Sequence, residues 1–279
     1  MVATPIGNLA DITLRALHVL ELVDVIACED TRHTQQMLRA YGIDKNAGQL
    51  LALHQHNESE AAQAVLAQLR QGQRVAYVSD AGTPGVSDPG ARLAATLVQQ
   101  GLRCIPLPGA SSVTTLLSVA GVVADAAAAS GFVFQGFLSS KSSERAHAVQ
   151  LLAQEPRAVL LLEAPHRIEA LADALAALGP RPLTVGRELT KQFEEIATVA
   201  AQDFNAWLQA DAHRLRGEFA LLLHPAEVAA SGGDAARILG LLLEELPLKT
   251  AVKLAAEISG QPRNALYAQA LALKSEAAD

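Results

Sequence analysis

The sequence predicts an α/β protein that is made of two α/β domains and a small C-terminal helical unit. Short apolar runs, typical of buried strands, alternate with longer segments of helical periodicity over most of the 279 residues. This alternation indicates βαβ units and a mainly parallel sheet. Half of the residues are hydrophobic and only 18% are charged, so the chain can bury a large core and form more than one domain.

The first half of the chain shows the alternation most clearly. Strands are predicted over residues 23–28, 74–78 and 101–107, with a short strand at 2–4. Helices are predicted around residues 14–22, up to residue 41, over 60–70 and from residue 91. Turn-rich segments follow the strands, as expected where a strand passes into a helix.

After about residue 110 the pattern changes. A helix of small residues is predicted over 111–120 and a longer one over 166–178. Strands are predicted over residues 132–137, 158–163, 183–187, 194–198 and 217–223, and together they make a second sheet. We therefore expect a domain boundary near Gly109, with an N-terminal domain over residues 1–109 and a second domain over 110–228.

A third unit is expected over residues 234–279, after a Ser-Gly-Gly linker at 231–233. Helices are predicted over residues 235–246, 248–259 and 262–273, and the last begins with proline in its first turn. Three short helices with a turn at Gly260 are compatible with a helix-turn-helix. A generic helical bundle gives the same pattern, so both interpretations stay open.

The most informative segment is the loop after the strand predicted at 74–78. Residues 79–90 contain three glycines, two prolines and two aspartates. Such a loop lets the backbone approach a ligand closely, and the carboxyl ends of parallel strands are where open α/β sheets bind small molecules. The segment matches neither the phosphate-binding loop of nucleoside triphosphatases nor the dinucleotide fingerprint. A tight strand-to-helix connection is the alternative explanation.

Charge and hydropathy exclude several classes of protein. The net charge of −7 argues against bulk electrostatic binding of nucleic acid, so any RNA contact needs a local basic face. No apolar run reaches the roughly 18 residues of a membrane span, and the amino terminus lacks the features of a signal peptide. The lack of such a run predicts no membrane partner. Cys28 and Cys104 both lie in apolar runs and look like small core residues, so we expect a reducing, cytoplasmic compartment.

Six segments of the chain resemble the tetrapyrrole-methylase superfamily, and specifically its ribosomal branch. They span residues 2–12, 28–32, 79–90, 107–112, 163–167 and 186–191. The resemblance covers nearly the whole chain, including the C-terminal helical unit. It implies a cofactor cleft between the two α/β domains, S-adenosyl-L-methionine as cofactor, and a homodimer. Superfamily members usually carry several more residues before the first of these segments, so we expect the first strand to be short.

The resemblance also implies a reaction. The ribosomal branch methylates the ribose 2′-hydroxyl of a cytidine in the decoding region of 16S rRNA, which makes 16S rRNA, within the 30S subunit, the expected partner. Two alternatives stay open: a small-molecule methylase that acts on a tetrapyrrole, and a non-catalytic RNA-binding ribosome assembly factor on the same scaffold. The intact cofactor loops argue against the assembly factor.

Cofactor-binding residues are implied by the same resemblance. They come from the first loop, from the glycine-rich loop, from a helix amino terminus and from the end of a strand in the second domain. The residues are Pro5, Gly7, Asp80, Gly82, Thr83, Val86, Ser111, Ser112, Leu162 and Glu163. For either serine, plain N-capping is the alternative, and we interpret Asp88 as a turn residue.

Catalysis needs a general base or a neighbouring cation, because a ribose hydroxyl is a poor nucleophile. The residues expected to act in catalysis are Asp30, Arg32, Lys141 and Glu188, and the identity of a base stays open. Asp30 and Arg32 follow a buried strand, where they contact substrate or form a mutual ion pair that shapes the cleft. No metal is expected, since His54 and His56 lack a supporting ligand set.

A local basic patch is expected to hold rRNA phosphates. Its residues are Arg145, His166, Arg167, Arg187 and Lys191, with Lys141 beside them. The spacing of Lys141 and Arg145 places both on one face of a helix, and Arg187 and Lys191 share that spacing. Ordinary solvated charge is the alternative for each of them. The Trp and Tyr residues, Tyr41, Tyr77, Trp207 and Tyr267, are too few and scattered for a base-stacking platform.

Overall fold

The computed structural model describes residues 1–54, 57–122, 131–226 and 232–276. They belong to two compact units, Met1–Ala226 and Glu227–Asp279. The first unit contains two β-sheets, and the second contains helices. The predicted boundary near Gly109 falls between the two sheets, and the division of the first unit into two domains stays a prediction.

The first sheet is parallel throughout, as the sequence predicts. Its strands are β1 (Val25–Cys28), β2 (Leu50–Ala52) and β3 (Val75–Val78), in the order β2-β1-β3. The helices of this half are α1 (Leu14–Leu22), α2 (Thr31–Ala40), α3 (Glu58–Arg70) and α4 (Gly90–Gln99). Residues of β1 and β3 alternate between two apolar clusters, so both faces of the sheet are buried.

The prediction of a strand over residues 101–107 is wrong. In this segment only Leu107 makes a β-bridge, with Val2, and Val2 also bridges Val78. Backbone hydrogen bonds join Leu107 to Met1 and Ala3. Residues 102–104 have no strand beside them in the described part of the chain, and a strand needs a partner to complete its ladder. The first strand is short, as expected, and consists of the bridges at Val2.

The second sheet is mixed. Its strands are β4 (Phe132–Gly136), β5 (Ala158–Glu163), β6 (Pro182–Arg187), β7 (Glu195–Ala200) and β8 (Phe219–Leu223), in the order β4-β5-β8-β6-β7. Only β4 and β5 pair in parallel, while the pairs β5–β8, β6–β8 and β6–β7 are antiparallel. Short connections such as the one between β6 and β7 permit antiparallel pairing, whereas a parallel pair needs a long crossover.

Helices cover this second sheet on both faces. They are α5 (Ser112–Val119), α6 (Ser142–Ala153), α7 (Ile168–Leu175) and α8 (Phe204–Gln209). The long helix predicted over 166–178 is instead α7 flanked by two short 3-10 helices, Pro165–Arg167 and Ala176–Leu178. Consecutive residues of β5, such as Leu160 and Leu161, are fully buried in two different apolar clusters, one on each face. The sheet is therefore the rigid centre of this half.

The described part of the second unit contains the helices α9 (Gly232–Glu245), α10 (Leu248–Ser259) and α11 (Arg263–Glu276). Leu239, Val252 and Leu266 form the centre of its apolar core. The left-handed conformation of Gly260 ends α10, as the sequence predicts for a turn there. Residues 231 and 277–279 of the predicted linker and tail lie outside the described residues. Of the helices in the described ranges, none has the length and apolarity that crossing a bilayer requires.

Candidate active site

A cavity of about 360 Å³ lies at one edge of the two sheets of the first unit. Its wall includes residues at the carboxyl ends of β1, β3, β4 and β5, together with the end of β6 and the start of β8. The loop after β3 and the start of α5 complete it. The volume is within the range of about 300–1,000 Å³ that small-molecule sites occupy.

The loop after β3 is shaped by Asp88. Its carboxylate accepts hydrogen bonds from the backbone N–H of Gly85, at 2.8 Å, and of Gly90, at 2.6 Å. Gly82 and Gly85 have φ angles of +86° and +84°, a conformation that favours glycine. The interpretation of Asp88 as a turn residue therefore agrees with the structure, although Asp88 also lines the cavity.

Three loops meet at the cavity floor. The backbone of Thr4 and Gly82 is joined by an N–H···O bond of 3.0 Å, and the Thr83 hydroxyl donates to the Ala110 carbonyl at 2.9 Å. A Cβ at Gly82 would lie 3.0 Å from Ile6 Cγ2, so only glycine lets these loops approach this closely. Ser111 precedes α5, and its side chain makes no capping hydrogen bond to the described residues. The Ser111 hydroxyl thus stays available to a ligand.

Seven of the ten residues expected to bind the cofactor line this cavity. They are Gly82, Thr83, Val86, Ser111, Ser112, Leu162 and Glu163. Within the described ranges, Pro5, Gly7 and Asp80 are outside the lining, and Ile6, between the first two, takes their place. Asp80 links two loops instead: its carboxylate accepts from the Asp30 N–H and its own N–H donates to Glu29, each at 3.1 Å.

Glu163 presents a buried carboxylate to the cavity. Its side chain is fully buried, and Oε1 accepts from the Ala164 N–H at 2.9 Å and lies 3.1 Å from Arg167 Nε. Oε2 has no hydrogen-bond partner among the described residues. Burying a carboxylate oxygen without a partner is costly, so a donor group on a ligand would stabilise it.

Most of the charged side chains in the cavity wall are acidic. It carries the carboxylates of Glu29, Asp88, Glu163 and Glu218 against one cation, Lys191, in the described part of the lining. Burial raises the pKa of Glu29, and the neighbouring Asp80 and Asp88 carboxylates raise it further. The hydrogen bond from the Asp80 N–H opposes this rise but does not cancel it. An acidic wall of this kind favours a positively charged ligand. Glu29 directly follows β1, at the edge of the sheet where the cavity lies. On the sequence alone, the nearby residues Asp30 and Arg32 were instead expected to act in catalysis.

Asp30 and Arg32 pair with each other rather than lining the cavity. Asp30 caps α2 through the Arg32 N–H at 2.8 Å, and the Arg32 guanidinium lies 3.1 Å from the Asp30 carboxylate. The Arg32 side chain is 91% exposed. Of the two interpretations that the sequence left open, the mutual ion pair is the one present in the structure.

Lys191 is held between two carboxylates at the cavity wall. Its Nζ lies 2.8 Å from Glu188 Oε1 and 2.8 Å from Glu218 Oε2. Burial alone would lower the pKa of Lys191, but its hydrogen bonds to Glu188 and Glu218 outweigh burial and raise it. Burial likewise opposes ionisation of Glu188, and the bonds from Lys191 and the Glu218 N–H outweigh it and lower the Glu188 pKa.

The backbone around Lys191 is strained. Glu188 and Thr190 both have positive φ angles, +51° and +67°, which non-glycine residues seldom adopt. Two glycines make room for the cluster: a Cβ at Gly217 would lie 2.4 Å from Glu188 Cγ, and one at Gly7 would lie 2.3 Å from Lys191 Cγ. Strain of this kind persists where the surrounding structure fixes it, often at functional sites.

The expected basic patch is only partly present. Lys141 precedes α6 and pairs with Glu144 at 2.8 Å, so the helix that was to carry Lys141 and Arg145 on one face begins after Lys141. Arg145 is partly buried and donates to the Ser140 carbonyl, while His166 is exposed. Arg167 is turned inward and donates to the Leu138 carbonyl in addition to its pair with Glu163.

The prediction that Arg187 binds RNA needs correction. Arg187 is only 8% exposed. Its guanidinium donates to the Glu195 carboxylate and to three backbone carbonyls, those of Phe193, His213 and Arg216. Because these partners occupy the guanidinium in the interior, Arg187 joins segments of the fold and does not face solvent.

The expectation that no metal is bound rests on His54 and His56, and the structure describes only the first of them. Within the described ranges, no group of three or more His, Cys, Asp or Glu side chains has the arrangement of a metal site. His56 lies outside those ranges.

The fold and the cavity define a methylase. The model of the tetrapyrrole (corrin/porphyrin) methylases matches residues 1–205, and that of the RsmI C-terminal HTH domain matches residues 229–274. Among solved structures, cobalt precorrin-4 methyltransferase covers 80% of this chain and 92% of its own, with a TM-score of 0.56 and 16% identity. Uroporphyrin-III C-methyltransferase from Thermus thermophilus covers 79% and 91%, with a TM-score of 0.55 and 21% identity.

The chain therefore belongs to the tetrapyrrole methylase family, and within that family to the group of ribosomal RNA small subunit methyltransferase I. Relatives of that name are found in Escherichia coli O157:H7, 46% identical over 97% of this chain and 93% of the relative, and in Neisseria meningitidis serogroup A, 45% identical over 99% and 94%. The Pseudomonas aeruginosa relative is 42% identical over 97% and 95%. The chain is a methyltransferase with a methylase fold.

Proposed function

We propose that this protein transfers a methyl group from S-adenosyl-L-methionine to the ribose 2′-hydroxyl of a cytidine in the decoding region of 16S rRNA. The observation that carries the proposal is the cavity, where a glycine-rich loop meets a buried carboxylate with one oxygen unpartnered by the residues that the structure describes. The chain is also similar over nearly its full length to small-subunit rRNA methyltransferases. We propose RNA as the acceptor because those relatives are ribosomal RNA small subunit methyltransferases.

The cavity residues fit the cofactor. S-adenosyl-L-methionine has a positively charged sulfur, an ammonium group and ribose hydroxyls, and its methyl group is electrophilic because the sulfur carries the charge. The Glu163 oxygen that has no partner among the described residues suits the ammonium group or a ribose hydroxyl as donor, and Glu29 and Asp88 add negative charge that favours the cation. Ser111 and Ser112 at the amino terminus of α5 offer hydroxyl and N–H donors to the cofactor carboxylate.

Each expected cofactor residue has a place in this proposal. Gly82, Thr83, Val86, Ser111, Ser112, Leu162 and Glu163 would contact the cofactor. Pro5, Gly7 and Asp80 would act indirectly, because Pro5 and Gly7 flank Ile6 in the cavity floor and Asp80 holds the loop after β1.

Methyl transfer mainly requires that the hydroxyl oxygen, the methyl carbon and the sulfur be held in line. The hydroxyl proton must also leave, in this proposal to a water molecule, and a fixed cation next to the oxygen lowers the pKa of the hydroxyl. Lys191 is the cation in position to do this, and Glu188, which was expected to be catalytic, would act by holding Lys191 together with Glu218. Asp30 would position Arg32, whose exposed guanidinium is suited to an RNA phosphate.

The RNA backbone would be held by cations outside the cavity. Lys141, Arg145 and His166 are the expected residues that stay at least partly exposed, and Arg167 would act by fixing Glu163. Because the net charge of the chain is negative, charge alone does not hold the RNA, and the protein must also recognise the shape of a folded particle. We therefore propose the 30S subunit as the substrate. We also propose that the protein is a homodimer and acts in the cytoplasm. Sedimentation of the purified protein would test the oligomeric state.

The direct test is transfer of a labelled methyl group to 30S subunits that lack the modification, followed by mapping of the labelled nucleotide. A single 2′-O-methylcytidine in the decoding region is the expected result. Free 16S rRNA and a porphyrinoid acceptor are assayed in parallel, and transfer to the porphyrinoid alone would contradict the proposal. Failure to bind the cofactor would favour a non-catalytic role.

A further inference from the structure

Phe137 is an aromatic side chain at the opening of the cavity. It lines the cavity, yet it is 50% exposed, whereas the other aromatic residue in the described lining, Phe219, is 3% exposed. A half-exposed phenylalanine beside a cavity of this size presents a flat apolar surface to whatever enters. The Trp and Tyr residues considered as stacking candidates do not include this ring.

The backbone before Phe137 is built to aim its side chain. Phe137 directly follows β4, an edge strand of the second sheet, and the pairing of β4 with β5 is irregular between Phe134 and Gly136. Bulges of this kind turn the side chains that follow, and they are common next to active sites. Gly136 has a φ of +69°, and a Cβ there would meet nothing closer than 3.7 Å. Glycine is therefore required for the conformation and not for space.

The residue after Phe137 is fixed as well. Leu138 is 3% exposed, belongs to the apolar core, and its carbonyl accepts a hydrogen bond from Arg167, the residue that also pairs with Glu163. Phe137 is thus held between a constrained glycine and a buried leucine. The ring is exposed because of this arrangement and not because the chain around it is loosely packed.

We propose that the Phe137 ring stacks on the base of the nucleotide that is methylated. The inference rests on the proposed function. The 2′-hydroxyl must enter the cavity to reach the methyl group, and the base is attached to the adjacent carbon of the same ribose. The base therefore lies at the opening, where the ring is. Unpaired RNA bases are commonly recognised by stacking on aromatic side chains, and a stack of this kind holds the ribose in a fixed orientation.

Charged side chains flank Phe137 in an order that suits a nucleotide. Lys141 and Arg145 follow it at the start of α6, outside the cavity, and Lys191 belongs to the cavity wall. In this arrangement the phosphates contact the first two residues, the base contacts the ring, and the ribose faces Lys191. The adenine of the cofactor is the other nucleobase that could reach the ring, and the experiment separates the two.

The experiment compares Phe137→Ala, Phe137→Leu and Phe137→Tyr with Phe132→Ala. Phe132 is a matched control, since it begins the strand that Phe137 follows, is 42% exposed and is outside the described lining. For each variant, the KM for unmodified 30S subunits and the Kd for the cofactor are measured, together with the melting temperature. Phe137→Ala should raise the KM for the subunit about 5- to 100-fold, the range expected for loss of one base stack, and leave the cofactor Kd unchanged.

The other variants make the outcome specific. Phe137→Tyr keeps the aromatic face and should restore the KM, whereas Phe137→Leu keeps an apolar side chain and should stay impaired, which also carries the test if the alanine variant does not fold. Weaker cofactor binding with an unchanged KM for the subunit would assign the ring to adenine and overturn the inference. So would a KM that no Phe137 variant changes. If the wild-type protein transfers no methyl group to RNA, the proposed function itself fails and the inference with it.

Discussion

The ammonium group of Lys191 and the carboxylate of Glu188 lie 2.8 Å apart, three residues from each other on a segment with two left-handed residues. The strained conformation brings the Glu188 side chain back toward Lys191, and Gly217 leaves the space that it needs. A cation fixed in this way at the cavity wall keeps its proton, because both neighbouring carboxylates stabilise the charged form. The pair is therefore the structural basis of the first prediction.

Removing both carboxylates should change the pH dependence of methyl transfer. The variant Glu188→Gln/Glu218→Gln removes both negative charges beside Lys191, while burial, which lowers the pKa of Lys191, remains. If the protonated lysine is required, the rate falls as the pH rises through the pKa of Lys191. The double variant should therefore lose activity at a lower pH than the wild type, as measured by initial rates with 30S subunits.

Lys191→Arg is the control for this measurement, since arginine stays charged across the accessible pH range. In that background the alkaline loss of activity should be absent, whatever the absolute rate. Identical pH profiles in the wild type and the double variant would exclude a role for the Lys191 charge in the reaction.

Glu163→Gln should weaken cofactor binding. The free Oε2 is expected to accept a hydrogen bond from the cofactor, and a hydrogen bond to a charged group contributes about 1.5–3 kcal/mol, or roughly a tenfold or larger change in Kd. Calorimetry with S-adenosyl-L-methionine measures the change directly. Glu144→Gln is a matched control, because that carboxylate belongs to an exposed pair with Lys141. Equal affinities in all three proteins would show that Oε2 does not contact the cofactor.

Gly82→Ala should cost more stability than Gly72→Ala. Both glycines have positive φ angles, +86° and +79°, so each substitution pays a backbone penalty of about 1–2 kcal/mol. A Cβ at Gly82 would also crowd Ile6 and the Ala110 carbonyl, at 3.0 and 3.3 Å, whereas the described residues leave the space around Gly72 open. Overpacking adds about 1 kcal/mol or more.

Urea unfolding compares the two variants, and cofactor affinity provides a second measurement. Gly72→Ala should bind the cofactor like the wild type, while Gly82→Ala should bind it more weakly, since Ile6 and Gly82 both line the cavity. Equal losses of stability, with cofactor affinity retained in both, would contradict the close approach of the loops.

Local sequence features predict most of the elements but not the interactions between distant segments. The strands at β1, β3 and β5 and the loop after β3 are encoded by contiguous apolar runs and by turn residues, so they could be predicted. The strand expected over 101–107 could not be judged locally, because a strand depends on its partner and Leu107 has only Val2 beside it. The strand propensity of a segment does not predict whether a partner strand lies beside it.

The site was predictable to the same extent. Ser111 and Glu163 lie at the ends of recognisable elements, and both line the cavity. Phe137 was missed, because its direction depends on an irregularity in β4 that no local pattern reveals. Glu218 was missed as well, since its role depends on Lys191, which is distant in the sequence.

Arg187 and Arg145, two arginines that the sequence presents as equivalent, should behave in opposite ways when each is replaced by alanine. Arg187→Ala removes a buried guanidinium and its hydrogen bonds to the Glu195 carboxylate and to the carbonyls of Phe193, His213 and Arg216. Glu195 keeps its pair with Arg214, and the His213 carbonyl keeps the Arg216 N–H. A hydrogen bond from a charged donor contributes about 1.5–3 kcal/mol, and several are lost together, so the melting temperature should fall strongly. Arg145→Ala removes a partly exposed side chain in the first turn of α6 and should change stability by about 0.5 kcal/mol or less, while the KM for 30S subunits rises. Thermal unfolding and KM, measured on the same preparations, separate the two roles. A stable Arg187→Ala protein with impaired RNA binding would restore the original assignment of Arg187 to the RNA surface, since the interior bonds would then not be what holds this arginine.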